Sequence, residues 1–63
     1  MKYPKLGDQI KVSAHHWLRA HDTGVIVALL PKGRFEILFD IEGDGYGGGK
    51  LLRIDLKDFE VLE

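Results

Sequence analysis

A glycine-rich stretch at residues 43–48 matches the pattern GxGxxG, which cradles a phosphate in dinucleotide-binding proteins. That chemistry needs a helix N-terminus directly after the glycines, inside a strand–helix–strand unit. Here residues 50–54 read as a strand, and few residues follow them. The stretch therefore predicts a polar loop, and we expect no cofactor to bind there.

The same region imitates the first half of a calcium-binding EF-hand loop, with Asp40, Glu42 and Asp44 at alternate positions. The twelfth position of such a loop supplies a bidentate carboxylate, but here it is Leu51. The flanking segments also read as strands, whereas an EF-hand has helices. We therefore expect a solvated acidic turn without a metal ion.

Three histidines and the single serine of the chain fall in one segment, residues 13–22. Neighbouring histidines on an extended loop point in different directions, and no fourth ligand has a recognisable metal-site spacing. Ser13 lies in no nucleophile-elbow motif, so hydrolytic chemistry is not predicted. We expect one of His15, His16 and His21 to pack or form a hydrogen bond and the others to face water, and we expect no enzyme activity.

Composition narrows the function classes further. The chain has 63 residues, 44% of them hydrophobic, which predicts one small globular domain over residues 1–63. Nine basic and ten acidic residues give a net charge of −1, which does not favour nucleic acid as a partner. The absence of cysteine favours a cytoplasmic protein, and no apolar run predicts a signal peptide or membrane insertion.

A β-hairpin at residues 23–40 is the clearest structural signal. Residues 25–30 are β-branched or aliphatic, residues 31–33 form a turn signal, and Phe35, Ile37 and Phe39 then alternate on one face. These three side chains are predicted core residues. The phase of the first strand stays open: it is buried on both faces, or it leaves Val25 and Val27 partly exposed beside Leu38.

The remaining segments supply three more strands. A turn at residues 7–8 leads into a strand whose Ile10 and Val12 face inward, and residues 13–22 form a long loop that ends at Gly24, where the chain bends back or takes a positive φ. After a polar loop at residues 40–49, strands at 50–54 and 59–62 flank a 3₁₀ turn at 55–58, with Leu56 as an inward plug. The predicted fold is all-β, a small five-stranded SH3-like antiparallel barrel with one 3₁₀ turn before the last strand.

Candidate contact residues lie in the loops. Trp17 either closes the barrel end as a core residue or, exposed beside Leu18 and Tyr46, forms an aromatic contact surface. Basic side chains form a patch if the first and middle loops converge: Arg19, Lys32, Arg34, Lys50 and Arg53.

The order of these elements carries a family resemblance. A Gly7-Asp8 turn, Trp17 ahead of Gly24, Phe39-Asp40 at the end of a strand, glycines around Tyr46 and a terminal strand at 59–62 resemble photosystem I subunit IV (the E subunit). The chain is also similar to related SH3-like accessory proteins of photosynthesis and electron transport and, less closely, to KOW-type barrels of ribosomal and transcription proteins.

The resemblance implies a non-catalytic accessory module that helps a partner protein dock in an electron-transport assembly. The implied partner is ferredoxin-like or a subunit of a membrane complex, and the KOW likeness implies an RNA- or ribosome-associated module as the alternative. The predicted partner-binding residues are Trp17, Arg19, Lys32, Arg34, Tyr46 and Lys50.

Overall fold

The computed structural model describes residues 3–16, 18–43 and 49–62 of the chain. Five strands run through this part: β1 (Gln9–Val12), β2 (Thr23–Leu30), β3 (Arg34–Gly43), β4 (Gly49–Asp55) and β5 (Phe59–Val61). Short 3₁₀ turns at Pro31–Gly33 and Leu56–Asp58 precede β3 and β5. No helix in the described part of the chain is long and apolar enough to cross a membrane.

The strands form one antiparallel sheet in the order β4-β3-β2-β1-β5. The central hairpin has the predicted residues: Val25 lies opposite Leu38, and Leu30 lies opposite Arg34. The first and last strands pair with each other, with Ile10 opposite Val61. The predicted all-β class, with five antiparallel strands and a 3₁₀ turn before the last, is confirmed.

The sheet is strongly curved. Three strand spacings separate β3 from β5, so the two strands would lie about 14 Å apart in a flat sheet. Yet the rings of Phe35 on β3 and Phe59 on β5 meet edge to face, with centroids 5.3 Å apart. The sheet therefore bends so that β3 and β5 face each other across a shared interior.

That interior is filled by alternate residues of the strands, as the sequence predicts for β1 and β3. The buried apolar cluster contains Ile10, Val12, Ile26, Phe35, Ile37, Phe39, Ile54 and Phe59. On β2 the structure selects the second of the two phases, because Ile26 is buried while Val27 and Leu38 are exposed. The register between β2 and β3 shifts between Ile26 and Ala28, as at a β-bulge.

Two predictions about the ends of strands are wrong. Leu56 does not plug the interior, since its side chain is 39% exposed, and Phe59 fills the space beside Phe35 instead. Strand β3 continues to Gly43, beyond the predicted start of the polar loop at Asp40. The Thr23 hydroxyl donates a hydrogen bond of 2.6 Å to the Asp40 carboxylate and ties this polar extension of β3 to β2.

Gly24 has a different role from the predicted one. Positive φ angles near this point fall on His21 (69°) and not on Gly24. Instead, a Cβ atom on Gly24 would lie 2.6 Å from the Leu38 carbonyl oxygen and 2.8 Å from Cγ2 of Ile37. The glycine is required because β2 and β3 approach too closely there for a side chain.

We expect Gly24→Ala to lower the free energy of unfolding by roughly 1–3 kcal/mol, since the added methyl group meets backbone that cannot rotate away. Urea denaturation followed by circular dichroism measures the change. Gly33→Asn is the control, because its position is open and asparagine tolerates the left-handed φ of 71° found there. Equal stability of Gly24→Ala and the parent would show that the strands can separate without cost.

Candidate interaction surfaces

The first loop meets both stems of the glycine-rich segment at one end of the barrel. Arg19 makes the connection: Nη2 donates to the carbonyl oxygen of Ile41 at 2.8 Å, and Nη1 donates to that of Gly49 at 3.3 Å. The two loops therefore converge. The sequence predicts a shared contact surface if they do. We call this region, residues 13–16 and 18–22 with 41–43 and 49–50, the loop end.

Arg19 itself is enclosed, with only 3% of its surface exposed. Its guanidinium carbon lies 4.0 Å from the centroid of the Phe39 ring, a cation–π contact. Nε lies 2.6 Å from Oδ2 of Asp22, three residues along the chain, which makes an ion pair. Sequence reasoning grouped Arg19 with the solvent-facing cations, but its charge is met inside the molecule.

His16 organises the backbone that carries Arg19. Its Nδ1 atom accepts hydrogen bonds from the backbone N–H groups of Leu18 at 3.2 Å and Arg19 at 3.1 Å. His15 and His21 are exposed, and Nε2 of His15 lies 3.4 Å from the Asp58 carboxylate. The prediction that one histidine forms hydrogen bonds while the others face water is confirmed.

The predicted basic residues do not form one patch. Lys50 is the second residue of β4 and lies at the loop end, whereas Lys32 and Arg34 lie at the opposite end of the β2–β3 hairpin. Arg34 is opposite Asp55, five residues along β4 from Lys50, so the two cations are about 16 Å apart. Trp17 and Tyr46 lie outside the described residues.

A groove at the end opposite the loop end contains Lys32. Its apolar lining comes from Tyr3, Leu56, Phe59, Val61 and Leu62, and its charged lining comes from Lys5, Lys32, Lys57, Asp8, Asp55 and Glu60. The groove has three lysines and three carboxylates, so it has no net positive charge with which to select an anionic ligand. Among the described residues, no group of three histidines or carboxylates is placed to hold a metal ion.

The outer face of the sheet carries a cross-strand row of apolar side chains, which we call the outer apolar row. Val25 on β2 lies opposite Leu38 on β3, and Leu38 lies opposite Leu51 on β4. Leu38 and Leu51 are exposed, Val25 is half-buried, and the exposed Val27 follows Val25 on its strand. The sequence suggested the β2 and β3 members, but the part played by Leu51 depends on the β3–β4 register.

Charged residues of both signs border the outer apolar row. Glu36 lies opposite Arg53 on one side. On the other side Lys11 lies opposite Thr23, whose hydroxyl is bonded to Asp40. An apolar centre with a polar rim of mixed charge is the usual anatomy of a protein–protein interface.

No family model, curated protein or solved structure matches this chain. The likeness to photosystem I subunit IV and to KOW-type barrels stays a hypothesis based on turn and core residues.

Proposed function

We propose that this chain is a non-catalytic accessory module that docks a partner protein on its outer apolar row. The supporting observation is the alignment of Val25, Leu38 and Leu51 across three hydrogen-bonded strands, which holds apolar side chains in water on a rigid surface. Solvent-exposed apolar groups that form a contiguous patch are typical of interaction sites.

The rim favours a protein over a nucleic acid as the partner. Binding to a phosphate backbone depends on clustered cations, which release counterions as they neutralise the phosphates. Around the outer apolar row Arg53 lies opposite Glu36, and Lys11 shares its side of the row with Asp40. A partner with its own apolar patch and charges of both signs complements such a surface.

The size of the row favours a transient complex. A stable complex buries about 800 Å² on each partner, far more than three or four side chains provide. Small interfaces are common among electron-transfer complexes, which form and dissociate quickly. Together with the resemblance to photosynthetic accessory subunits, this supports docking of a ferredoxin-like protein or a membrane-complex subunit.

Titration of ¹⁵N-labelled protein with a plant-type ferredoxin and, separately, with a structured RNA tests the proposal. We expect ferredoxin to shift the amide signals of Val25, Leu38 and Leu51, and RNA to leave them unchanged. Shifts with RNA alone would favour the RNA-associated alternative. If neither ligand produced shifts at saturating concentration, both partners would be rejected.

We expect Leu51→Ser to weaken binding of the partner at least tenfold, because it places a hydroxyl in the apolar centre of the contact. Its stability should stay within about 1 kcal/mol of the parent, since the side chain is already 52% exposed. Leu29→Ser is the matched control, since Leu29 is 50% exposed but lies opposite Phe35, away from the row. Equal affinities of the two variants would place the contact elsewhere.

A further inference from the structure

We infer that His16 makes the closed arrangement of the first loop dependent on pH, so that acidification opens the loop end. The inference starts from the two backbone N–H groups, of Leu18 and Arg19, that point at Nδ1 of the same imidazole. It is independent of the proposed partner.

An imidazole nitrogen accepts hydrogen bonds only while it carries no proton. In the closed loop Nδ1 faces two donors, so the ring is neutral and its proton is on Nε2. Protonation of Nδ1 would turn the acceptor into a third donor, and both hydrogen bonds would be lost. The closed loop therefore needs the neutral ring.

Loss of the hydrogen bonds to His16 affects the rest of the loop end through Arg19. The backbone N–H of Arg19 is one of the two donors, while its guanidinium binds the carbonyl oxygens of Ile41 and Gly49 and covers the Phe39 ring. When these hydrogen bonds to Nδ1 are lost, the backbone of Arg19, which positions this guanidinium, is released too. Protonation of this half-buried imidazole is thus transmitted to the stems of the glycine-rich segment.

Other charged groups that contact the loop act differently. His15 lies beside Asp58 on the turn before β5, and protonation of His15 strengthens that contact. Asp22 holds Nε of Arg19, and Asp40 on β3 is bonded to Thr23 where β2 begins. All of these groups are kept in His16→Asn, so that variant separates their effect from the effect of His16.

The sign follows from linkage. In the closed state the His16 ring must be neutral, whereas in the open state it can be neutral or protonated. The open state therefore takes up more protons. Closure is therefore lost as the pH falls and His16 takes up a proton. The His15–Asp58 contact changes in the opposite direction and cannot produce acid opening.

Nuclear magnetic resonance of the parent tests the first step. The ¹⁵N chemical shift of the His16 ring should identify Nδ1 as the unprotonated nitrogen at pH 8. Between pH 8 and pH 5, the hydrogen-exchange protection factors of the Leu18 and Arg19 amides should fall about tenfold, as expected for the loss of two hydrogen bonds. A proton found on Nδ1 at pH 8, or unchanged protection at pH 5, would overturn the inference.

His16→Asn separates the imidazole from the rest of the loop. The asparagine Oδ1 atom is attached at the same Cγ position, accepts backbone N–H groups in the same way, and does not titrate. Protection of both amides in this variant should change less than twofold between pH 8 and pH 5, while His15→Asn and His21→Asn should respond like the parent. The parent's pH response persisting in His16→Asn would assign the switch to another group.

Discussion

Phe35→Ala is expected to lower the free energy of unfolding by about 3–5 kcal/mol, which is comparable to the whole stability of a domain this small. The Phe35 ring is buried, and it contacts Phe59 at 5.3 Å and Tyr3 at 5.7 Å between centroids. It therefore joins β3 to both ends of the described chain. Thermal melting followed by circular dichroism should show the variant largely unfolded at 37 °C.

Two variants control for this loss. Phe35→Leu keeps most of the apolar volume and should cost less than the alanine variant, while Leu51→Ala removes an exposed side chain and should cost less than about 1 kcal/mol. A melting temperature of Phe35→Ala equal to that of Leu51→Ala would show that Phe35 does not support the interior.

Arg19→Met is the second large effect that we expect, at about 2–4 kcal/mol of lost stability. Methionine fills similar space over the Phe39 ring, but it leaves the carbonyl oxygens of Ile41 and Gly49 without their charged donor. A hydrogen bond from a charged donor contributes about 1.5–3 kcal/mol. Urea denaturation measures the loss, and amide signals at the stems of the glycine-rich segment should shift as well.

Lys50→Met provides the comparison, since it removes an exposed cation from the same end of the barrel and should change stability by less than about 0.5 kcal/mol. Asp22→Asn should cost less than Arg19→Met, because the Asp22 side chain is partly exposed and its partner keeps the other contacts. Arg19→Met as stable as Lys50→Met would contradict the structural role of Arg19.

Alternation of side chains predicts most of this fold. On β1 and β3 a period of two places Ile10, Val12, Phe35, Ile37 and Phe39 inside, because neighbouring residues of a strand face opposite sides. Alternation does not predict the position of Leu56, because a residue in a 3₁₀ turn does not alternate between the two faces of a sheet. Phe59 occupies the interior beside Phe35, and Leu56 is exposed. Gly24 is misread because close strand contact and positive φ favour the same residue.

The surfaces are harder to predict than the core because they depend on register. Arg19 has a long charged side chain, which is rarely buried, and only the three-dimensional position of Phe39 and the two carbonyl groups explains its enclosure. Lys32 and Lys50 lie at opposite ends of the β3–β4 pair. The sequence does not show this separation, because it depends on the strand register. The sequence does not distinguish His16 from the other two histidines, because only the hydrogen bonds to its ring show its role.

Pairing between β1 and β5 has a consequence for how the molecule assembles. The β2, β3 and β4 ribbons are linked by short connections, so they form at small entropic cost, whereas joining Ile10 to Val61 closes almost the entire polypeptide into a ring. Contacts between such distant positions form slowly, and they come after the local ones. We therefore expect the pair of the first and last strands to be the final part of the sheet to assemble.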